Sequence, residues 1–331
     1  MYENYFGLMG NPFGMTPDPQ FYFRSSSHRE ALAALEYGVR NRRGFMTLVG
    51  EVGTGKTTLL NTLLDALDQS TCTILVRHTT VDREDLLKLI LTSLYTTYGP
   101  RRQNKGKDAS GLFADNRVAG LSRAELINEF NAFVTGEFLA YQPAPLLIID
   151  EAQNLDRDVL EEIRLLTNLE NPKSKMLQVI LSGQPELENL LMRPDLRQLR
   201  QRIAVHARLD PLTLEEAGEY VAYRLEKAGY SSSRELFSGA ALKAIWNSSK
   251  GSPRTINVLC DHALINAFAM GLDQVNMLSA QEAIQDVLVL RPKLKGARRP
   301  EPYLVADFEE HRDTLENLQA TAVADQKGGT R

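Results

Sequence analysis

Short apolar runs alternate along this chain with longer segments whose apolar residues recur every three or four positions. Phe45–Val49, Thr73–Arg77, Leu146–Asp150, Leu177–Leu181 and Ile203–Leu209 have the length and content of strands. Leu59, Leu60, Leu63, Leu64 and Leu67 follow helical spacing, and similar patterns lie near 83–97, 122–140, 156–170 and 185–192. Strands alternating with helices predict an α/β fold, a parallel sheet sandwiched by helices. Leu146-Leu147-Ile148-Ile149 carries no polar position, which suits a central strand buried on both faces. After Pro211 the strand pattern stops. Helical segments near 213–229, 235–248, 253–271 and 279–289 predict a separate, smaller all-helical lid domain.

The flanks read differently. Residues 1–24 are rich in Pro, Gly and aromatics, and Asn11-Pro12-Phe13 and Thr16-Pro17-Asp18-Pro19 oppose helix. Ser27 and Glu30 have the spacing of a capping box opening a helix that carries Leu32, Leu35 and Val39. Residues 99–120, with Arg101, Arg102, Lys105, Lys107 and Arg117, read as an exposed insertion. Beyond Arg291 the chain turns polar and predicts a mostly disordered tail with one short helix between 304 and 320. The expected division is therefore 1–43, an N-terminal segment and first helix packed on the core; 44–211, the core; 212–290, the lid; and 291–331, the tail.

Composition adds little. With 43% hydrophobic and 24% charged residues, 331 residues suffice for a large core. A net charge of −4 and a pI near 5.9 give no global basic field for nucleic acid or membrane. Cys72 and Cys260 sit in apolar surroundings, as buried thiols of a reducing compartment do. The N-terminus lacks the basic and apolar regions of a signal peptide, and no apolar run is long enough to span a bilayer. A cytoplasmic protein is expected, one that reaches the inner membrane only through a partner.

The chemistry enters at Gly50-Glu51-Val52-Gly53-Thr54-Gly55-Lys56-Thr57, followed by Thr58. This is the Walker A pattern of a P-loop NTPase, and it lies between a predicted strand and a predicted helix as the motif requires. The glycines let backbone N–H groups surround phosphate at the positive end of a helix. Lys56 is of the type that reaches the β- and γ-phosphates, and the Thr57 hydroxyl is a Mg²⁺ ligand. Asp150-Glu151 ends the most apolar strand, at the carboxyl end of a parallel strand, which faces the crevice where α/β proteins bind ligands. Asp150 is the expected Mg²⁺ partner and Glu151 the expected general base for hydrolysis.

Other positions are candidates on weaker grounds. Gln184 and then Ser182, at the end of the fourth strand, are placed to sense a γ-phosphate or to position water. Arg197, Arg200 and Arg202 precede the last strand, and Arg202 is the favoured arginine finger for a neighbouring subunit. In Gly251-Ser252-Pro253-Arg254, Ser252 reads as N-cap and Pro253 as N1. Arg254 then sits in a first turn that disfavours a cation unless an anion lies near. His28 lies either near the base or on the surface. The Asn-Lys-x-Asp motif for guanine is missing, since Asn104-Lys105 is followed by Gly106-Lys107. ATP is the expected nucleotide.

Taken together, these motifs resemble an AAA+ ATPase. The opening Tyr5-Phe6-Gly7-Leu8, Asn11-Pro12-Phe13, Thr16-Pro17-Asp18-Pro19 and Ser27-His28-Arg29-Glu30-Ala31-Leu32 resembles the ExeA/GspA-type ATPases of the general secretion pathway. So do Gly50–Thr58, Leu146–Leu155 and Gly183-Gln184-Pro185-Glu186-Leu187. The resemblance spans roughly residues 1–290. It implies ATP and Mg²⁺ as cofactors, a homo-oligomer, protein partners in an envelope secretion or assembly system, and an N-terminal segment that helps clasp adenine. Full-length members continue into a transmembrane helix and a peptidoglycan-binding domain, and this chain reads as a stand-alone member. Transposition regulators of the MuB and TniB kind share the core. A DNA-binding ATPase is therefore the alternative, supported only by basic residues at Arg40, Arg42, Arg43 and 101–107.

Overall fold

The computed structural model describes residues 1–15, 19–67, 71–77, 82–98, 118–135, 145–167, 170–171, 174–175 and 177–289. The basic insertion, the end of the helix predicted to residue 140 and the polar tail lie outside or largely outside them. Met1–Val287 forms one compact unit.

Five strands build a parallel sheet: β1 (Phe45–Gly50), β2 (Thr73–Val76), β3 (Leu146–Ile149), β6 (Gln178–Gly183) and β7 (Ile203–Leu209). A two-residue hairpin, β4 (Glu170–Asn171) with β5 (Ser174–Lys175), stands apart. The sheet order is β2-β3-β6-β1-β7, so the first strand lies inside the sheet between the last two. The β-period sends alternate residues to opposite faces. Phe45, Val49, Leu147, Ile149, Val179 and Leu181 join one core with the helices Arg83–Tyr98, Arg123–Thr135 and Arg157–Leu166. Met46, Leu48, Leu146, Ile148 and Ile180 join the other with the helices Ser26–Arg40 and Lys56–Ala66. Every residue of β1, β3 and β6 is buried, which is why these strands read as unbroken apolar runs.

Beyond β7 the chain is helical: Leu214–Lys227, Gly239–Ser249, Pro253–Ala269 and Met277–Val289. Their apolar faces form a third core, and the N-terminal segment joins it. Tyr2, Phe6, Leu8 and Phe13 are buried among these lid helices. The segment expected to pack on the ATPase core with its helix therefore packs on the lid, while the helix alone packs on the sheet. The reason is polar as well as apolar. Tyr2 Oη donates to Asp261 at 2.5 Å, Met9 N to the Ala228 carbonyl at 2.7 Å, and Tyr223 Oη to the Gln20 carbonyl at 3.1 Å. A first helical turn, Tyr2–Tyr5, appears where irregular chain was expected.

The predicted capping box at Ser27 and Glu30 is wrong by two residues. The helix Ser26–Arg40 starts two residues earlier than that box implies, and Ser25 is the N-cap, its hydroxyl accepting from His28 N. The carboxylate that serves this end comes from the lid. Glu216 Oε1 accepts from Ser26 N at 3.0 Å and Ser26 Oγ at 2.6 Å. Its Oε2 accepts from Thr213 N at 3.1 Å, completing the capping box of Leu214–Lys227. One side chain thus satisfies the N-termini of two helices in different parts of the fold. Glu216→Ala is expected to lower the unfolding free energy by about 1–2 kcal/mol, read by urea denaturation. An unchanged midpoint would rule out the double cap.

Candidate functional site

β1 ends at Gly50, and the loop to Lys56 turns back over it. Gly53 and Gly55 have φ of 79° and 98°, a region that side chains with a Cβ avoid. Space is equally restrictive. A Cβ on Gly53 would lie 2.8 Å from Arg254 Cβ, and one on Gly55 would lie 2.9 Å from His28 Nε2. The loop is thus wrapped tightly by the lid on one side and by the first long helix on the other.

Arg254 and Ser252 supply the lid contact. Ser252 precedes Pro253 at the helix start as the sequence predicts, but its hydroxyl makes no cap bond. It donates instead to the Val52 carbonyl at 3.3 Å, and Arg254 N donates to the Gly53 carbonyl at 3.3 Å. The exposed Arg254 side chain lines the same cleft as residues 52–58.

His28 supplies the other contact, and it lies not at the surface but in the lining of the cleft, beside the Tyr22 ring. It is buried, with Nδ1 2.7 Å from Ser25 Oγ and a hydrogen bond to the Thr54 backbone. Donation to a carbonyl assigns the proton to Nε2 and leaves Nδ1 to accept from Ser25. Burial pushes its pKa down, more than the Thr54 bond and the Glu216 charge push it up.

Lys56 is buried at the floor of the loop. Its Nζ donates to the carbonyls of Gly50 at 2.7 Å and Glu51 at 3.0 Å. Burial lowers its pKa, and the nearby charges of Glu151 and Asp150 only partly restore it. Asp150, just past β3, is buried and held on both oxygens. Thr57 Oγ1 donates to Oδ2 at 2.9 Å and Ser182 Oγ to Oδ1 at 2.8 Å. A Thr hydroxyl beside a carboxylate is a hard-oxygen donor set that fits Mg²⁺, an ion bound through one or two protein ligands plus phosphate oxygens.

Glu151 follows in the left-handed region, φ 54° and ψ 36°. Outside glycine this conformation is uncommon and costs energy, and such strain collects where a side chain must be aimed. Two amides hold the result: Gln153 Nε2 and Gln184 Nε2 donate to Glu151 Oε2 at 2.7 and 3.1 Å. Burial raises the Glu151 pKa, but these two bonds and the Lys56 charge outweigh it, so the carboxyl stays below its ordinary range. Gln184 is thus joined to Glu151. Ser182, its rival in the sequence, is joined to Asp150.

Arg202 does not line this cleft. Its Nη1 reaches the Arg164 carbonyl at 3.5 Å, and its charge helps lower the pKa of Glu161. Arg200 is tied to the Met192 carbonyl at 3.0 Å.

A cleft of about 440 Å³ runs from the loop toward the lid. Its lining also includes Phe21, Tyr22, Phe23, Tyr220, Arg224 and Asn257. Of these the sequence marked only the N-terminal segment, through its resemblance. Tyr220 and Arg224, four apart on one helix, and Asn257, three after Arg254 on another, were the available signal.

A glycine loop on an interior parallel strand, with paired carboxylates on a strand two places away, defines a P-loop protein, and residues 39–191 match the family model "AAA domain". The chain belongs to this AAA class. Within it, the chain is a relative of General secretion pathway protein A of Aeromonas hydrophila, 38% identical over 280 residues, which are 83% of this chain and 46% of that protein. It thus spans about half the length of that relative. Among solved structures, Cdc6p from Pyrobaculum aerophilum is similar with a TM-score of 0.57 at 18% identity, over 85% of this chain and 74% of that one. The Aeropyrum pernix ORC2 protein in its ADPNP-ADP complexes has a TM-score of 0.55 at 18% identity, over 83% and 71%. At such identities the likeness is one of fold. Among the described residues no helix is long and apolar enough to cross a membrane.

His28 gives a pH test. A native pKa below the ordinary imidazole value of about 6.5 means the unfolded chain takes up a proton that the native chain resists. Stability is then lost as pH falls from that value toward the lowered one, by up to about 1.4 kcal/mol per pH unit for one group. Urea unfolding at about pH 7.5 and 5.5 should show parent protein losing more stability than His28→Gln. Equal losses would contradict a neutral, buried His28.

Proposed function

We propose that this chain binds ATP at residues 50–58 and hydrolyses it with Mg²⁺, as an oligomeric motor or switch serving an envelope secretion or assembly system. The observation that carries the ATPase reading is the Glu151 carboxylate. It is ionised, fixed by two amides and turned by strained backbone toward the cleft that Lys56 lines.

In this reading the loop N–H groups and Lys56 hold the β- and γ-phosphates, and Arg254 approaches them from the lid. Thr57 and Asp150 hold Mg²⁺, which neutralises developing charge on the phosphate oxygens when bound. Glu151 orients a water and accepts its proton at Oε1, while Gln153 and Gln184 hold the carboxylate in place through Oε2. Ser182 keeps Asp150 aimed at the metal position. Aromatic residues 21–23 face the base. Arg202, outside the cleft of its own chain, acts across a subunit interface after leaving the Arg164 carbonyl.

The secretion role rests on the likeness to General secretion pathway protein A. DNA binding is the weaker reading. Arg40 pairs with Glu36 and Arg43 donates to Tyr37 Oη, so part of that basic patch is engaged within its own helix region. The insertion 101–107 lies outside the described residues.

Three variants separate the roles. Lys56→Ala is expected to lose ATP binding while remaining folded. Glu151→Gln should bind ATP yet turn it over about 10²–10⁴-fold more slowly, in a steady-state phosphate-release assay. Arg202→Ala should bind ATP, turn over poorly, and recover part of its activity when mixed with Lys56→Ala subunits, since the mixed interface then joins an intact loop to an intact finger. Parental turnover by Glu151→Gln would sink the hydrolytic assignment, and no recovery at any mixing ratio would sink the trans role of Arg202.

A further inference from the structure

Three side chains on the base side of the cleft form a chain of hydrogen bonds whose direction is fixed by chemistry. Arg224 Nη1 lies 3.0 Å from Tyr220 Oη, and Tyr220 Oη lies 2.7 Å from Asn257 Oδ1. A guanidinium only donates, so the Tyr220 oxygen must accept from it. The single phenol proton is then left to donate to Asn257. An amide that accepts through its oxygen presents its NH₂ on the other side. Asn257 is buried and lines the cleft, and Nδ2 has no partner among the described residues. Both links are locked. Burial raises the Tyr220 pKa more than the adjacent Arg224 charge lowers it, so the phenol keeps its proton. Arg224 is buried and cannot swing away freely. It donates to the carbonyls of Pro12 and Gly14, and its guanidinium lies 4.7 Å from the centre of the Phe21 ring.

We infer that Asn257 is a specificity-determining residue that donates a hydrogen bond from its amide to an acceptor atom of the nucleoside, and that Tyr220 and Arg224 are positioning residues that hold this amide in the donor orientation. The inference rests on the nucleotide reading above and refines it. Asn257 lies one helical turn beyond Arg254, so a single helix face presents a cation toward the phosphates and an amide toward the nucleoside. An amide held as donor favours ligands with a lone pair at that point and leaves a buried group unpaired with ligands that lack one. Because Arg224 is fastened to Pro12 and Gly14, the N-terminal segment bears on the orientation of the Asn257 amide through two successive hydrogen bonds.

The test compares binding of ATP, ribose 5-triphosphate and inorganic tripolyphosphate, by calorimetry, to parent protein, Asn257→Ala and Tyr220→Phe. Neither substitution changes charge. Asn257→Ala is expected to weaken ATP by about tenfold or more and to leave tripolyphosphate unchanged. Tyr220→Phe should weaken ATP by a smaller factor with the same unchanged control, and it carries the test alone where Asn257→Ala does not fold. A loss that persists with ribose 5-triphosphate assigns the acceptor to the sugar, and a loss confined to ATP assigns it to the base. Undiminished ATP affinity in the folded variants, or equal losses of ATP and tripolyphosphate, would overturn the inference while leaving the nucleotide reading in place. Failure of the parent to bind ATP would instead overturn that reading, and this inference with it.

Discussion

The Asp150 carboxylate is the point on which the site depends. It is buried at the end of an interior strand, and each oxygen receives a hydroxyl from a different element. Thr57 belongs to the helix that follows β1, and Ser182 belongs to β6, the strand between β1 and β3. A buried anion left without donors would be costly. Satisfying this one therefore fixes the relative position of the phosphate loop, the carboxylate strand and the strand between them. The same arrangement leaves Asp150 beside the Thr57 hydroxyl, the oxygen pair proposed to hold Mg²⁺, and sets Glu151, the next residue, in the lining of the cleft.

A second constraint joins the lid to this frame. Glu216 caps two helices, Ser252 and Arg254 touch the phosphate loop, and His28 supports that loop from the opposite side. The N-terminal segment completes the lid core and is held there by Tyr2, Met9 and Arg224. The cleft is therefore walled by three stretches far apart in sequence. A movement of the lid would be felt at the loop through Gly53, where the approach of Arg254 leaves no room for a side chain. Loop conformation and lid position are thus sterically linked at this contact.

The pattern along the chain was enough for the parallel sheet, since fully buried strands leave a strong signal in β1, β3 and β6. It also placed residues 50–57 between a strand and a helix, and Asp150-Glu151 at a strand end, as the structure has them. Cap positions were less legible. Ser25, Ser26 and Ser27 are chemically alike, and the carboxylate that completes the helix start is Glu216, which no local spacing can reveal. His28 was undecided for the same reason: its partners are Ser25 nearby and Thr54 in a distant loop. The left-handed backbone at Glu151 had no glycine or asparagine to announce it. Tyr220, Arg224 and Asn257 were hidden because helical spacing marks them as core residues, and their polar ends meet only after the lid helices pack.

The central claim, that the doubly held Asp150 carboxylate positions a divalent cation for the nucleotide, is tested most directly by titrating ATP in Mg²⁺ and in EDTA with parent protein and Asp150→Asn. The account predicts that Mg²⁺ tightens binding to the parent and that most of this gain is lost in Asp150→Asn, while binding in EDTA persists. An equal Mg²⁺-dependent gain in both proteins would contradict it.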